Sequence, residues 1–90
     1  MKTFSRETEK TVIDILLTDL DLAMTFLNTA DTTQIEENAR RNRQHASRAY
    51  DQIVATLQAV TLNEEQQALF DDKLSLLRSR LWASNERWSN

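Results

Sequence analysis

The chain contains 90 residues, has no cysteine, glycine or proline, and carries a formal net charge of −3. This length allows one domain with a modest core, and the missing cysteines exclude disulfide bonds and thiol chemistry. The missing glycines and prolines exclude phosphate-cradling loops and the usual hairpin turns, so the composition predicts an all-α protein.

The first predicted helix spans about residues 6–29 and follows a possible N-cap at Ser5. Its apolar residues recur at steps of three and four along one face: Val12, Leu16, Leu20, Ala23, Leu27 and Ala30. Ile15, Leu22 and Phe26 lie to one side of that face and widen the apolar arc to roughly 220°. Because one neighbour covers only about a 100° stripe, we expect this helix to be covered from two directions.

The second predicted helix spans about residues 34–60 and follows a capping box formed by Thr33 and Glu36. Its core stripe is small in the first half and large in the second: Ile35, Ala39, Asn42, Ala46, Ala49, Tyr50, Ile53, Leu57 and Val60. Small residues let two helix axes approach closely. We therefore expect the first half to pack against the end of the first helix that carries Met24, Phe26 and Leu27.

The third predicted helix spans about residues 64–84. Thr61 with Glu64 fits a capping box at its start, and Asn63 with Gln66 fits a second one. Its apolar line consists of Phe70, Leu74, Leu77 and Leu81.

The short polar connections require neighbouring helices to run antiparallel. The sequence thus predicts a single helical domain over residues 1–90, folded as an antiparallel three-helix bundle. The alternative is a helical hairpin of the first two helices that dimerises into a four-helix bundle, with the third helix appended.

Asp19 falls between the two apolar lines of the first helix, where a carboxylate needs a partner. If the turn is centred near residue 31, antiparallel pairing places Asp19 opposite Arg43 and beside Asn42. We therefore predict a structural polar layer of Asp19, Asn42 and Arg43 that fixes helix register. The competing interpretation, a carboxylate for acid/base chemistry, lacks a second catalytic group.

Neither a catalytic nor a metal site is predicted from the titratable residues. His45 is the only histidine, and its helical neighbours at steps of three and four are not metal ligands. No nucleophile, base and orienting group occur together, so we predict no enzyme activity, no cofactor and no small-molecule substrate. Three aspartates interrupt the most apolar stretch and no secretory signal is visible, which predicts a cytoplasmic protein without a membrane span.

Surplus apolar surface is the feature that points to a function. The candidates for an interaction surface are Phe4, Ile15, Leu22, Phe26 and Trp82. Tryptophan is enriched at protein interfaces and costly to leave in water, although a three-helix core could also use all five side chains. We predict a small non-enzymatic interaction or structural protein that self-associates through apolar helix faces, with itself or another protein as partner.

A basic cluster on the second helix suggests an alternative, a regulator that binds nucleic acid. The cluster consists of Arg40, Arg41, Arg43 and Arg48. Glu36, Glu37 and Asp51 dilute it, and the chain as a whole is acidic. Because nucleic-acid binding requires several phosphates to be neutralised at once, we favour this alternative less.

Several segments lie on or between helices 2 and 3: the run from Asn38 to Arg43, Ala46, the triplet Ala49 to Asp51, the run from Leu62 to Glu65, and the helix from Leu74 to Leu81. Together they resemble short uncharacterised all-helical bacterial proteins. Ala46 and Tyr50 are also similar to positions of a tetratricopeptide helix, but the Trp, Gly and Pro positions of that repeat are missing. Both resemblances imply helical structure, and neither implies an activity.

Overall fold

The computed structural model describes the backbone of residues 6–88 and the side chains of residues 7–84. It contains three helices: α1 (Arg6–Thr32), α2 (Glu36–Leu57) and α3 (Glu64–Trp88). All three pairs of helices pack together in a molecule of 45 × 20 × 19 Å, and no strand occurs within residues 6–88. The predicted all-α class and three-helix bundle are therefore confirmed.

The core lies between all three helices and is built from the apolar line of each. Its buried members include Ile13, Leu16, Leu20, Ala23 and Leu27 of α1, Ala46 and Ile53 of α2, and Phe70 and Leu77 of α3. The packing is most extensive between α1 and α2, and α3 packs against both. Two helices thus cover α1 from two directions, as its broad apolar arc predicts.

Helices α1 and α3 both continue beyond their predicted ends. Helix α1 begins at Arg6 as expected but continues to Thr32, three residues beyond its predicted end. Helix α3 begins at Glu64 as expected and continues to Trp88, four residues beyond its predicted end. Neither helix meets a glycine or proline, so no residue in the chain forces an earlier stop.

Helix α2 is shorter than predicted at both ends. It begins at Glu36 with Ile35 as its N-cap, which makes no side-chain capping bond, so the expected capping box of Thr33 and Glu36 does not form. Instead, the Thr33 hydroxyl accepts the N–H of Ile35 at 3.3 Å. This local turn holds the chain outside the helix for two residues more than predicted. At the other end, tight turns after Leu57 replace the last predicted helical residues.

The connection between α2 and α3 carries two defined hydrogen-bonded features. Asn63 Oδ1 accepts the N–H of Gln66 at 2.8 Å, and Gln66 Oε1 accepts the N–H of Asn63 at 3.0 Å. This reciprocal pair is the second of the two predicted capping boxes. The N–H of Thr61 donates to Glu9 Oε2 at 2.9 Å, which attaches the connection to the first turn of α1.

Candidate interaction surface

The predicted interaction residues of α1 lie on its outer side. Ile15 is 54% exposed and Leu22 is 50% exposed, and the two are seven residues apart, which places them on one line. Phe26 is half-buried because its ring stacks on His45 of α2, with centroids 5.1 Å apart. Phe4 lies outside the described residues.

Exposed threonines continue this line along most of α1. Together with the two aliphatic residues they form a surface that we call the α1 ribbon: Thr11, Ile15, Thr18, Leu22, Thr25 and Thr29. Successive members are four, three, four, three and four residues apart, the spacing of a helix–helix seam. None of the six side chains is charged, although all six are exposed to solvent.

The threonine hydroxyls of the α1 ribbon already donate hydrogen bonds within the helix. Thr18 donates to the carbonyl oxygen of Asp14 at 3.1 Å, and Thr25 donates to that of Asp21 at 3.1 Å. Thr11 and Thr29 donate in the same way to the carbonyl oxygens four residues before them, at 3.3 and 3.1 Å. A buried hydrogen-bond donor destabilises a protein only when it has no acceptor. Because these hydroxyls already have acceptors within α1, a partner could cover the ribbon without leaving those donors unsatisfied.

The two sides of the α1 ribbon differ in charge. On the side toward α3, Glu7, Asp14 and Asp21 follow one another at intervals of seven residues, and we call these three the acidic flank. Asp21 lies 3.9 Å from the ammonium group of Lys73 of α3, and its side chain remains 77% exposed.

On the opposite side of the ribbon, α2 presents Arg41, His45 and Arg48, all of them exposed. The guanidinium of Arg41 is 3.8 Å from Glu37. Among the described residues, no carboxylate lies within 4 Å of the guanidinium of Arg48. The ribbon is therefore uncharged between the acidic flank and a mixed side, where Arg41 is paired with Glu37, Asp19 is half-buried, and Arg48 is the exposed cation.

The predicted polar layer of Asp19, Asn42 and Arg43 is wrong in its register. Asp19 lines a groove of about 380 Å³ together with Gln52 and Ile53, whereas the side-chain amide of Asn42 donates to the carbonyl oxygen of Asn38. Gln52 is nine residues from Arg43, about 13 Å along a helix axis. The turn lies later than residue 31, because α1 continues to Thr32 and α2 begins only at Glu36, which moves α2 along α1.

Trp82, the fifth candidate, belongs to another surface. Its side chain is 69% exposed on α3 and lines a shallow depression with Arg78 and Ser79 of the same helix. Among the side chains that the structure describes, none from α1 lines this depression. The structure therefore brings Ile15, Leu22 and Phe26 together and leaves Trp82 apart from them.

The four arginines of the basic cluster do not form one stripe. At 100° per residue, Arg40 and Arg43 point to one side of α2, and Arg41 and Arg48 point to another. Glu37 lies within 4.0 Å of both Arg40 and Arg41. A nucleic-acid backbone would thus meet two separate pairs of cations on α2, and Glu37 lies beside one cation of each pair.

The described residues show no chemical site of another kind. Among residues 7–84, no three histidine, aspartate or glutamate side chains are close enough together to hold a metal ion. A groove of about 820 Å³ lies between α1 and the α2–α3 connection, but Glu9 at its edge already binds the N–H of Thr61. None of the three described helices combines the length with the apolar character that crossing a membrane requires.

The α1 ribbon had a signal in the sequence that the apolar pattern alone does not show. Thr11, Thr18 and Thr25 recur every seven residues, in step with Ile15 and Leu22, but threonine counts as polar when only apolar residues are traced.

Comparisons with protein-family models, curated proteins and solved structures found no significant match to this chain.

Proposed function

We propose that this chain is a small, non-enzymatic interaction protein that self-associates through the α1 ribbon. The observation that carries the proposal is the absence of charge from six consecutive seam positions on the exposed side of α1. Solvent-facing helix positions usually carry charged or polar side chains that water stabilises. Here the ribbon offers two half-exposed aliphatic side chains and a row of threonine methyl groups instead.

The size of the surface supports a weak association. The α1 ribbon spans residues 11–29, about 27 Å along the helix axis, and a helix is about 10 Å wide, so the ribbon offers roughly 270 Å² per copy, well below the roughly 800 Å² per partner of standard interfaces. In a symmetric pair, the exposed halves of Ile15 and Leu22 would contribute roughly 3–6 kcal/mol before the entropic cost of association. We therefore expect a dissociation constant on the order of micromolar or weaker.

Sedimentation analysis over about 10 μM to 1 mM tests the proposal, since this range brackets the expected affinity. We expect the wild-type protein to form a dimer and the Leu22→Glu variant to remain a monomer, because a carboxylate at the centre of the ribbon would have to be buried. Leu76→Glu is the matched control, since Leu76 is 54% exposed on α3, outside the ribbon. Circular dichroism of both variants checks that they fold.

A wild-type protein that stays monomeric at the highest concentration would overturn the self-association. Equal loss of the dimer in Leu22→Glu and Leu76→Glu would assign the contact to another surface. The cytoplasmic location is part of the same proposal, and it is checked by fractionation of the cells that make the protein.

A further inference from the structure

We infer that the α1 ribbon pairs with the ribbon of a second copy of this chain in parallel and in register. The inference rests on the proposed function and adds the identity and the orientation of the partner to it. The opposite charges on the two sides of the ribbon carry it, and the seven-residue repeat of the ribbon is compatible with it.

The charges on the two sides select one of two symmetric arrangements. A twofold axis that runs along the ribbon exchanges its two sides, so the acidic flank of each copy faces α2 of the other. A twofold axis that runs across the ribbon keeps the sides, so acid faces acid and arginine faces arginine. Because like charges placed opposite each other oppose association, the first arrangement, with parallel ribbons, is favoured.

The heights of the charged groups along the bundle fit this arrangement. Phe26 lies level with His45, on which it stacks, so Arg48, three residues further along antiparallel α2, lies about level with Ala23. Asp21 is two residues from Ala23, about 3 Å along the axis. With parallel ribbons, Arg48 of one copy therefore arrives beside Asp21 of the other, and this pair forms twice.

Asp21 and Arg48 are both able to make a contact between copies. Asp21 is 77% exposed at the side chain, and its distance of 3.9 Å from Lys73 is that of a loose surface pair. Asp19 lies on the same side as Arg48 but faces the groove beside Gln52 and is half-buried there. Arg48 is exposed, so its guanidinium can reach across to the second copy.

The repeat of the ribbon also fits parallel pairing. In register, Ile15 meets Ile15 of the second copy and Leu22 meets Leu22, with a threonine layer between them. In the antiparallel arrangement centred on the ribbon, Ile15 would instead face the threonines at the far end. An antiparallel pair centred near Thr18 would also join Ile15 to Leu22, so the repeat is compatible with parallel pairing and the charges select the direction.

Single cysteine variants test the orientation, because the chain contains no cysteine of its own. We expect Ile15→Cys and Thr29→Cys each to form a disulfide-linked dimer with itself, since parallel ribbons bring equal positions to within about 4.4–6.8 Å between Cα atoms. Oxidation should be at least about tenfold faster than that of the control Leu76→Cys, which lies on α3.

Charge exchange tests the pair of Asp21 and Arg48. We expect Asp21→Arg and Arg48→Glu each to weaken the dimer by about tenfold, and an equimolar mixture of the two variants to recover it. In the mixed pair, each reversed residue meets an opposite charge, and recovery also shows that both variants are folded. Asp72→Arg and Arg78→Glu, exposed on α3, are the control variants and should leave the dimer unchanged.

The outcomes separate the inference from the proposed function. If the wild-type protein is a monomer and no cysteine variant crosslinks above the control, both fail together. If Leu22→Cys or Thr18→Cys crosslinks above the control while Ile15→Cys and Thr29→Cys do not, the ribbon self-associates but the copies are antiparallel, which overturns the inference alone. Failure of the mixed charge variants to recover the dimer overturns the pairing of Asp21 with Arg48.

Discussion

The phenyl ring of Phe26 lies over the imidazole of His45, with their planes inclined by 29° and their centroids 5.1 Å apart. This contact joins the second half of α1 to the first half of α2, and it marks the register between the two helices. It also places an exposed histidine beside the α1 ribbon.

A double-mutant cycle measures what this stacking contributes. We expect Phe26→Leu and His45→Gln to show a coupling of about 0.5–1 kcal/mol in the free energy of unfolding, the range of partly exposed aromatic pairs. Urea denaturation of the two single variants and the double variant provides the values. The measurements belong at a low protein concentration, where the monomer predominates. Strictly additive effects would show that the rings touch without stabilising the fold.

Arg80 attaches α3 to the end of α1. One of its guanidinium nitrogens, Nη2, donates to Asn28 Oδ1 at 2.7 Å and to Asp31 Oδ2 at 3.2 Å. Because both side chains of the ion pair are more than two-thirds buried, we expect Arg80→Ala to cost about 1–2 kcal/mol of unfolding free energy. Thermal denaturation measures this loss. Arg78→Ala, an exposed neighbour on the same helix, is the control and should change stability by less than about 0.5 kcal/mol.

Ala46 is fully buried between α2 and its neighbours. We expect Ala46→Leu to destabilise the protein by about 1–3 kcal/mol or more, because three additional carbon atoms must enter a filled space. The same substitution at exposed Ala68 of α3 adds the same atoms where there is room, and we expect it to be nearly neutral. Denaturant midpoints of the two variants decide the matter. Equal midpoints would show that α2 has room to move away from α1.

The bundle was predictable from the sequence because its main determinant is local. Residues such as Leu16, Leu20 and Leu27 are spaced at steps of three and four, and this spacing holds whatever the exact ends of the helices. The burial of Ala39 and Ala46 followed from the same pattern. Prediction of the core therefore needed only the helical period.

The register between α1 and α2 was not predictable in the same way. It depends on where one helix stops and the next begins, and an error of a few residues moves every pair across the interface. The Thr33 hydroxyl binds the N–H of Ile35 instead of capping the helix, a choice between two local hydrogen bonds of similar strength. Asp19 consequently lines a groove with Gln52 and Ile53, and Gln52 is nine residues along α2 from the Arg43 that the predicted layer requires.

Of the candidate surface, Ile15 and Leu22 were predictable because they lie outside the main apolar line, and the structure leaves half of each exposed. The separation of Trp82 from them was not, because it depends on how α3 is rotated about its own axis. That rotation is determined by contacts between helices, above all by the burial of Phe70 and Leu77 in the core.

Helix α3 is fastened to α1 near both of its ends, by the bond from Thr61 to Glu9 before its first turn and by Arg80 toward its last. A domain swap, in which two copies exchange α3, would have to break both contacts in each copy. We therefore expect two copies to associate and dissociate as folded three-helix bundles. The equilibrium should be rapid, and dilution alone should return the dimer to monomers.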